Sequence, residues 1–286
     1  MRKLKAAICG LLAIATSLCL FACGEPEGED DMNKVVLETG VNEISVEHHG
    51  RTVHGDAYIP DIDRFPLVVM SHGFNGYKDD FKAEAQLLMS ENIGAITLTF
   101  CGSGARDTSG FPTTSMTLLT EKEDLLAVMD YAKNIKGFNG KLFLFGGSQG
   151  GMVSALAGHD RVDDLAGMLL LYPAFNIPHD WSVMYPTDES VPEVIQNWNN
   201  WGVDLGRNFV LSMRNLDAYE KMPQFTKPVL LMHGTNDTIV DISYIQRAET
   251  TYPDAELATY PAVHGFTPTQ FNNAKQKMLE FFFNNL

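Results

Sequence analysis

A chain of 286 residues with 45% apolar content is long enough to bury a sizeable core. Its formal net charge of -15 excludes recognition of nucleic acid through a basic surface. The four cysteines offer no second close pair beside Cys19 and Cys23, so no cysteine zinc site is expected, and the reading carries no metal.

At the N-terminus, Met1-Arg2-Lys3-Leu4-Lys5 is a positive segment, and residues 6–20 form an apolar run that is short and wrongly flanked for a membrane span. Leu20-Phe21-Ala22-Cys23 precedes Gly24 and resembles the lipobox of bacterial lipoproteins, in which cleavage before the cysteine leaves it as a lipidated N-terminus. Residues 1–22 then read as a signal peptide and residues 23–33 as a flexible acidic tether. Residues 34–286 read as the folded domain, held outside the cytoplasmic membrane at the bacterial cell envelope by lipid on Cys23. An ordinary secretory peptide that contains a cysteine is the alternative. Cys9 and Cys19 leave with the signal, so Cys101 stands alone and no intramolecular disulfide is expected. Cys101 is also the rival nucleophile, but no G-x-C-x-G context surrounds it.

Past the tether, "VNEISVEHH" and "RTVHGDAYIP" predict an antiparallel pair turning at Gly50. "PLVVMSHG" reads as a buried strand. "KDDFKAEAQLLMSEN" reads as a helix with Phe81, Ala85, Leu88 and Met89 on one face. "GAITLTF" is the next strand. "LLTEKEDLLAVMDYAKN" is the next helix, with Leu125, Met129 and Ala132 spaced for one side. "LFLFGG" and "MVSAL" are a strand and a helix on either side of Ser148. "LAGMLLLYPAF", a long irregular stretch, "KPVLLMHG", "ISYIQRAETTY", "AELATYP" and "QFNNAKQKMLEFFF" complete the chain. Strand–helix alternation predicts an α/β fold with a mostly parallel central sheet flanked by helices.

Ser148 is flanked by Gly146, Gly147, Gly150 and Gly151. A tight strand-to-helix turn needs residues without Cβ atoms, and Gly146-Gly147-Ser148-Gln149-Gly150 fits the G-x-S-x-G nucleophile elbow. In an α/β sheet, chemistry gathers at the carboxyl ends of the strands. "SHGFNG", "GTND" and "VHGF" all fall there, and with Ser148 they supply nucleophile, acid and base in the order Ser…Asp…His of the α/β-hydrolases. His264 is expected to take the serine proton and return it to the leaving group. Asp237 is expected to hold the imidazole tautomer, and the backbone N–H groups of Gln149 and Phe74 to stabilise the oxyanion. Asp241 is the competing acid, although it suits a helix N-cap better. His233 and His72 are expected to shape their loops. His48, His49 and His54 are expected at the surface, and His159 and His179 have no triad spacing.

"SHGFNGYKDDF", "MDYAKN", "GGSQGGMVSALA", "TKPVLLMHGTND" and "VHGF" together resemble the bacterial cinnamoyl/feruloyl esterases of the α/β-hydrolase superfamily, from about residue 41 to the C-terminus. The resemblance implies catalytic residues Ser148, Asp237 and His264, oxyanion donors Phe74 and Gln149, and hydrolysis of hydroxycinnamate esters of plant cell-wall sugars; no metal or organic cofactor is expected. Three positions depart from that family: Gly147 replaces a usual histidine, Thr99 a usual aspartate, and Val240-Asp241 a usual Val-Pro.

Residues 176–226 are too long for an ordinary connection and contain Trp181, Trp198 and Trp201, all three tryptophans, with Tyr185 and Phe209. An inserted cap over the site fits this composition. The resemblance implies that Trp198 lines the acyl pocket, and Trp201, Trp181 and Tyr185 are further candidates to touch the substrate. A small core within the cap is the competing role, favoured for Phe209. The function expected is serine ester hydrolysis of a small-molecule or carbohydrate-linked ester. A carbohydrate acetyl esterase, a general carboxylesterase or lipase, a peptidase of the same fold, and a non-catalytic binding protein on a hydrolase scaffold are the alternatives.

Overall fold

The computed structural model describes residues 34–286. The expected signal peptide, Cys23 and the tether lie outside the described residues. In chain order the strands are β1 (Gly40–His48), β2 (Arg51–Ile59), β3 (Phe65–Ser71), β4 (Gly94–Thr99), β5 (Phe138–Gly147), β6 (Gly167–Leu171), β7 (Val194–Ile195), β8 (Leu205–Gly206), β9 (Val229–Gly234) and β10 (Ala255–Tyr260). The helices are α1 (Lys82–Ser90), α2 (Leu118–Lys133), α3 (Gln149–Asp160), α4 (Ile177–Met184), α5 (Arg207–Leu211), α6 (Ile242–Thr251) and α7 (Pro268–Asn284).

Eight strands form one sheet in the order β1-β2-β4-β3-β5-β6-β9-β10. The β1–β2 hairpin is antiparallel, as its sequence predicts, and β2 is antiparallel to β4. From β4 to β10 all neighbours are parallel. The central strands are apolar throughout because both of their faces are covered. Their side chains alternate between two cores. Leu67 and Val69, Leu142 and Leu144, and Val229 and Leu231 point to one core, which α2, α3 and α6 close. Val68 and Met70, Phe143 and Phe145, and Leu230 and Met232 point to the other, closed by α1 and α7.

The helices begin where local chemistry satisfies their free amides. Thr117 caps α2 by accepting from the Thr120 amide at 3.0 Å. Thr267 caps α7 with Pro268 in its first turn, and Asp241 caps α6 by accepting from the Ser243 amide at 2.9 Å. Asp241 is therefore the cap that its sequence position suggests. Phe81, expected within the first helix, lies in a 3-10 turn (Lys78–Phe81) just before α1 and still packs on the same core.

Between β6 and β9 the chain leaves the sheet. There β7 and β8 pair with each other in a separate two-stranded sheet, flanked by α4 and α5. This is the segment in which the sequence predicts an insertion.

His48 is not the free surface residue expected of it. Its Nε2 lies 2.7 Å from Oδ1 of Asp124, a wholly buried carboxylate on α2. Asp124 also accepts from Arg51 Nε at 3.0 Å and from the Cys101 amide at 2.8 Å. The reason for the correction is tertiary: the hairpin folds over α2, and a buried carboxylate needs donors from every side. Replacing Asp124 with alanine takes a partner from Arg51, which keeps Glu123, and removes the acceptor of the buried Cys101 amide, and is expected to cost about 3 kcal/mol in urea unfolding. A loss below about 1 kcal/mol would show that this junction does not hold the hairpin.

Candidate active site

The strand order changes direction between β3 and β5: the chain runs outward from β3 to β4 and then returns past β3 to β5. A crevice opens at such a switch point, outside the carboxyl ends of the strands. The turn after β3 and the turn after β5 both face it.

Ser148 sits on the β5–α3 turn with φ 53° and ψ -122°, a conformation rare for any residue with a side chain. Its N–H donates to the Leu171 carbonyl at 3.0 Å, and its carbonyl accepts from the amides of Gly151, Met152 and Ala174. The glycines permit this approach. A Cβ on Gly150 would collide with the carbonyls of Ser71 and His72, and one on Gly146 with the Gly150 carbonyl. Gly147, where the resembling esterases usually have histidine, faces the ring of Phe81 at 2.6 Å from where its Cβ would stand. Phe81 and Tyr172 fill the space a histidine would need.

The structure brings the three residues of the sequence reading together. His264 Nε2 lies 2.9 Å from Ser148 Oγ, and His264 Nδ1 lies 2.8 Å from Asp237 Oδ2. Asp237 follows β9 and His264 follows β10, so adjacent parallel strands deliver both. The Asp237 side chain is fully buried. Burial alone would raise its carboxyl, but hydrogen bonds from His264 and from the Val240 and Ile239 amides outweigh that and hold it below its ordinary value. A charged carboxylate is thus kept beneath the imidazole. His233 donates from Nε2 to the Val240 carbonyl at 3.0 Å and so shapes the loop around Asp237. The ring of Tyr172 packs against His264 at a tilt of 58°, with ring centres 4.9 Å apart.

On the opposite side, Phe74 lies in the turn after β3. His72 anchors that turn: its Nδ1 donates to the Gly73 carbonyl at 2.7 Å and its Nε2 accepts from the Phe100 amide at 3.0 Å. Burial pushes this imidazole down to about 4, so it is neutral at physiological pH. Thr99, at the second departure from the resembling family, accepts from the Lys78 amide at 3.0 Å and steadies the far end of the same turn.

Phe74, Gln149, Ser148 and His264 open into one pocket of about 220 Å³. Its walls come from the segment after β6. Trp181, Trp198, Trp201 and Phe209 all line it. Trp198 and Trp181 lie 4.4 Å apart and Trp181 and Phe209 5.7 Å apart, so these rings form both the core of the inserted segment and a wall of the pocket. Trp201 is 44% exposed and packs on Phe74 at 5.3 Å. Tyr185 does not line the pocket. It stacks behind Trp181 at 5.9 Å, because α4 ends at Met184 and the chain turns away before reaching it.

Ile177, Asp180 and Met184 line the pocket without having been singled out in the sequence. With Trp181 they are spaced as one helical face, a periodicity that would have found them. Ile239, which follows Asp237 by two residues, carries no such signal. Cys101 is buried, and burial with nearby Asp124 pushes its thiol up to about 12, which suits packing and not nucleophilic attack. No group of three or more His, Cys, Asp or Glu side chains fit to hold a metal ion occurs among the described residues.

Solved structures with the same architecture agree with the fold. Est1E from Butyrivibrio proteoclasticus, solved with ferulic acid bound, superposes with TM-score 0.78 at 23% identity, covering 85% of this chain and 98% of its own. DcsB, solved with a substrate analogue, gives 0.71 at 16% identity over 86% and 99%. An esterase of Pyrococcus furiosus gives 0.63 at 17% identity over 86% and 91%. No curated protein matches the chain at a significant level. The family profile described as serine aminopeptidase S33 matches residues 63–215, more than half of the chain. With this profile and an α/β-hydrolase fold around the Ser148 elbow, the chain belongs to the serine aminopeptidase S33 family of α/β-hydrolases.

Proposed function

We propose that the protein is a serine ester hydrolase whose acyl group is a hydroxycinnamate or a similar aromatic acid. One observation carries this reading: His264 Nε2 stands 2.9 Å from Ser148 Oγ at the mouth of a pocket walled by Trp181, Trp198, Trp201 and Phe209. Ser148 Oγ attacks the ester carbonyl while His264 takes its proton. The tetrahedral oxyanion rests on the N–H groups of Gln149 and Phe74, each typically contributing about 3–4 kcal/mol. As the intermediate collapses, His264 returns the proton to the leaving alcohol. Water, deprotonated by the same imidazole, then releases the acid and regenerates Ser148. Asp237 stays ionised throughout and stabilises the imidazolium. The ring-rich pocket supports an aromatic acyl group, and the ferulic acid bound to Est1E supports the same chemical class. The family description keeps an aminoacyl substrate as the rival.

The test is a panel of methyl hydroxycinnamates, p-nitrophenyl esters of several chain lengths, acetylated xylan and aminoacyl anilides. Ser148→Ala is expected to lower kcat by on the order of 10⁵-fold without unfolding the protein, and Asp237→Asn to leave a small remnant. Trp198→Ala should reduce kcat/KM about three- to tenfold more on a ferulate ester than on an acetate ester. Equal losses would assign Trp198 to packing alone. A wild-type preference for acetate or for aminoacyl anilides would replace the aromatic-ester reading with a deacetylase, a general carboxylesterase or an aminopeptidase.

The lipobox-like Leu20-Phe21-Ala22-Cys23 supports a second part of the proposal, export and lipid attachment at Cys23 to the bacterial cell envelope. Cys23→Ser is expected to move the protein from the membrane fraction to the soluble one, or to block its processing. Mass spectrometry that finds the mature N-terminus elsewhere and unmodified would overturn this part and leave the chemistry untouched.

A further inference from the structure

Glu121 lies on α2 beneath the nucleophile turn and is only 1% exposed. Both of its carboxyl oxygens face a single donor, Gln149 Nε2, at 2.9 Å and 2.8 Å. Among the described residues no other donor reaches its carboxyl group. The other buried carboxylates nearby are treated differently. Asp237 receives His264 and two amides, while Asp124 receives Arg51, His48 and an amide. A carboxyl group with one neutral partner and no cation is costly to ionise.

Its partner is the residue next to Ser148. Gln149 is 3% exposed and lines the pocket, and its backbone N–H is one of the two proposed oxyanion donors. Such a donor helps only if its direction is fixed before the reaction begins. The hydrogen bond to Glu121 ties down the Gln149 side chain and hence its backbone. We propose that Glu121 is a positioning residue for the ester hydrolysis inferred above: as a neutral acid it holds Gln149 on the oxyanion, and its ionisation lowers turnover. The proposal rests on that reading of the reaction.

The physical reason is the sign of the charge. A carboxylate one side chain away from a developing oxyanion opposes it, and a buried site screens little of that repulsion. Burial is the largest influence on Glu121 and outweighs the Gln149 hydrogen bond, which favours the charged form; with Asp124 one turn along α2 it pushes the carboxyl up to about 8. The remaining charged groups are directed elsewhere. On α2, Lys122 pairs with Asp160 and Glu123 with Arg51. Of the elements packed against α2, β3 carries no titratable side chain, and on β5 only Lys141 is titratable, and it is exposed. On α3, His159 and Asp160 sit at the distant C-terminal end. On β1, Glu43 and Glu47 are exposed and His48 reaches Asp124. Glu121 is therefore neutral below about pH 8 and charged above it, so turnover should fall as pH rises through that value.

The experiment measures kcat and KM of the full chain on p-nitrophenyl butyrate from about pH 6 to about pH 9.5, with a melting curve at each pH. Glu121→Ala is expected to lower kcat about 10- to 100-fold with KM changed less than about threefold. Glu121→Gln still accepts from Gln149 Nε2 but cannot ionise. It is expected to recover most of the activity at pH 7 and to stay flat where the wild type declines. A folded Glu121→Ala protein with wild-type kcat, or an unchanged alkaline decline in Glu121→Gln, would overturn the assignment. If the alanine variant does not fold, the glutamine profile decides alone. Ser148→Ala is measured in parallel. An inactive Ser148→Ala beside failed Glu121 arms sinks only this inference, while an active one sinks the hydrolysis reading and this inference with it.

Discussion

The candidate site depends on holding Ser148 in a backbone conformation it would not choose. A non-glycine residue at φ 53° and ψ -122° costs on the order of 1–3 kcal/mol, which the surroundings must outweigh. They do so with main-chain bonds from both sides of the turn. Leu171 accepts from below, and the Ser148 carbonyl receives the start of α3 together with the Ala174 amide. Those partners exist because β5 and β6 are parallel neighbours sealed between two apolar cores. The sheet is therefore the device that makes one strained residue affordable.

Around the elbow, three buried titratable side chains are handled in three ways. Asp237 is surrounded by donors and keeps its charge, directly under His264. His72 is buried and neutral, so it acts as a fixed donor and acceptor that shapes the Phe74 turn. Glu121 has one amide partner and a carboxyl pushed upward by burial. The result is a fixed negative charge directly beneath the imidazole, while the carboxyl beside Gln149 is pushed towards its neutral form. Electrostatic preorganisation of this kind requires no rearrangement as the charge develops.

The candidate triad and the pocket wall come from different parts of the chain. The candidate catalytic groups stand on loops at the ends of β3, β5, β9 and β10, where the sheet holds them in place. Much of the pocket wall comes from α4 and the β7–β8 segment, whose two strands pair with each other and not with the main sheet. Trp181 links the two roles, since it touches the pocket and also Trp198, Phe209 and Tyr185. A substitution there would alter the stability of the insertion and the shape of the pocket together. Specificity can thus vary with the insertion while the Ser148 turn stays unchanged.

The sequence by itself determined the elements and the line of chemistry. Apolar runs of strand length, helical spacing in α2, the glycines around Ser148 and the order Ser148, Asp237, His264 are all local patterns, set by steric and capping rules within a few residues. Asp237 and Asp241 could be ranked for the same reason, since the end of a strand and a helix N-cap differ in their immediate neighbours. What only the tertiary structure decided involves residues far apart in the chain. The pairing of Glu121 with Gln149, the seating of His48 on Asp124, the Phe81 ring in place of a side chain at Gly147, and the withdrawal of Tyr185 behind Trp181 each arise where two distant segments compete for one volume. Local pattern states which face of an element is buried, but a buried polar group finds its partner only when packing brings a second element within about 3 Å of it.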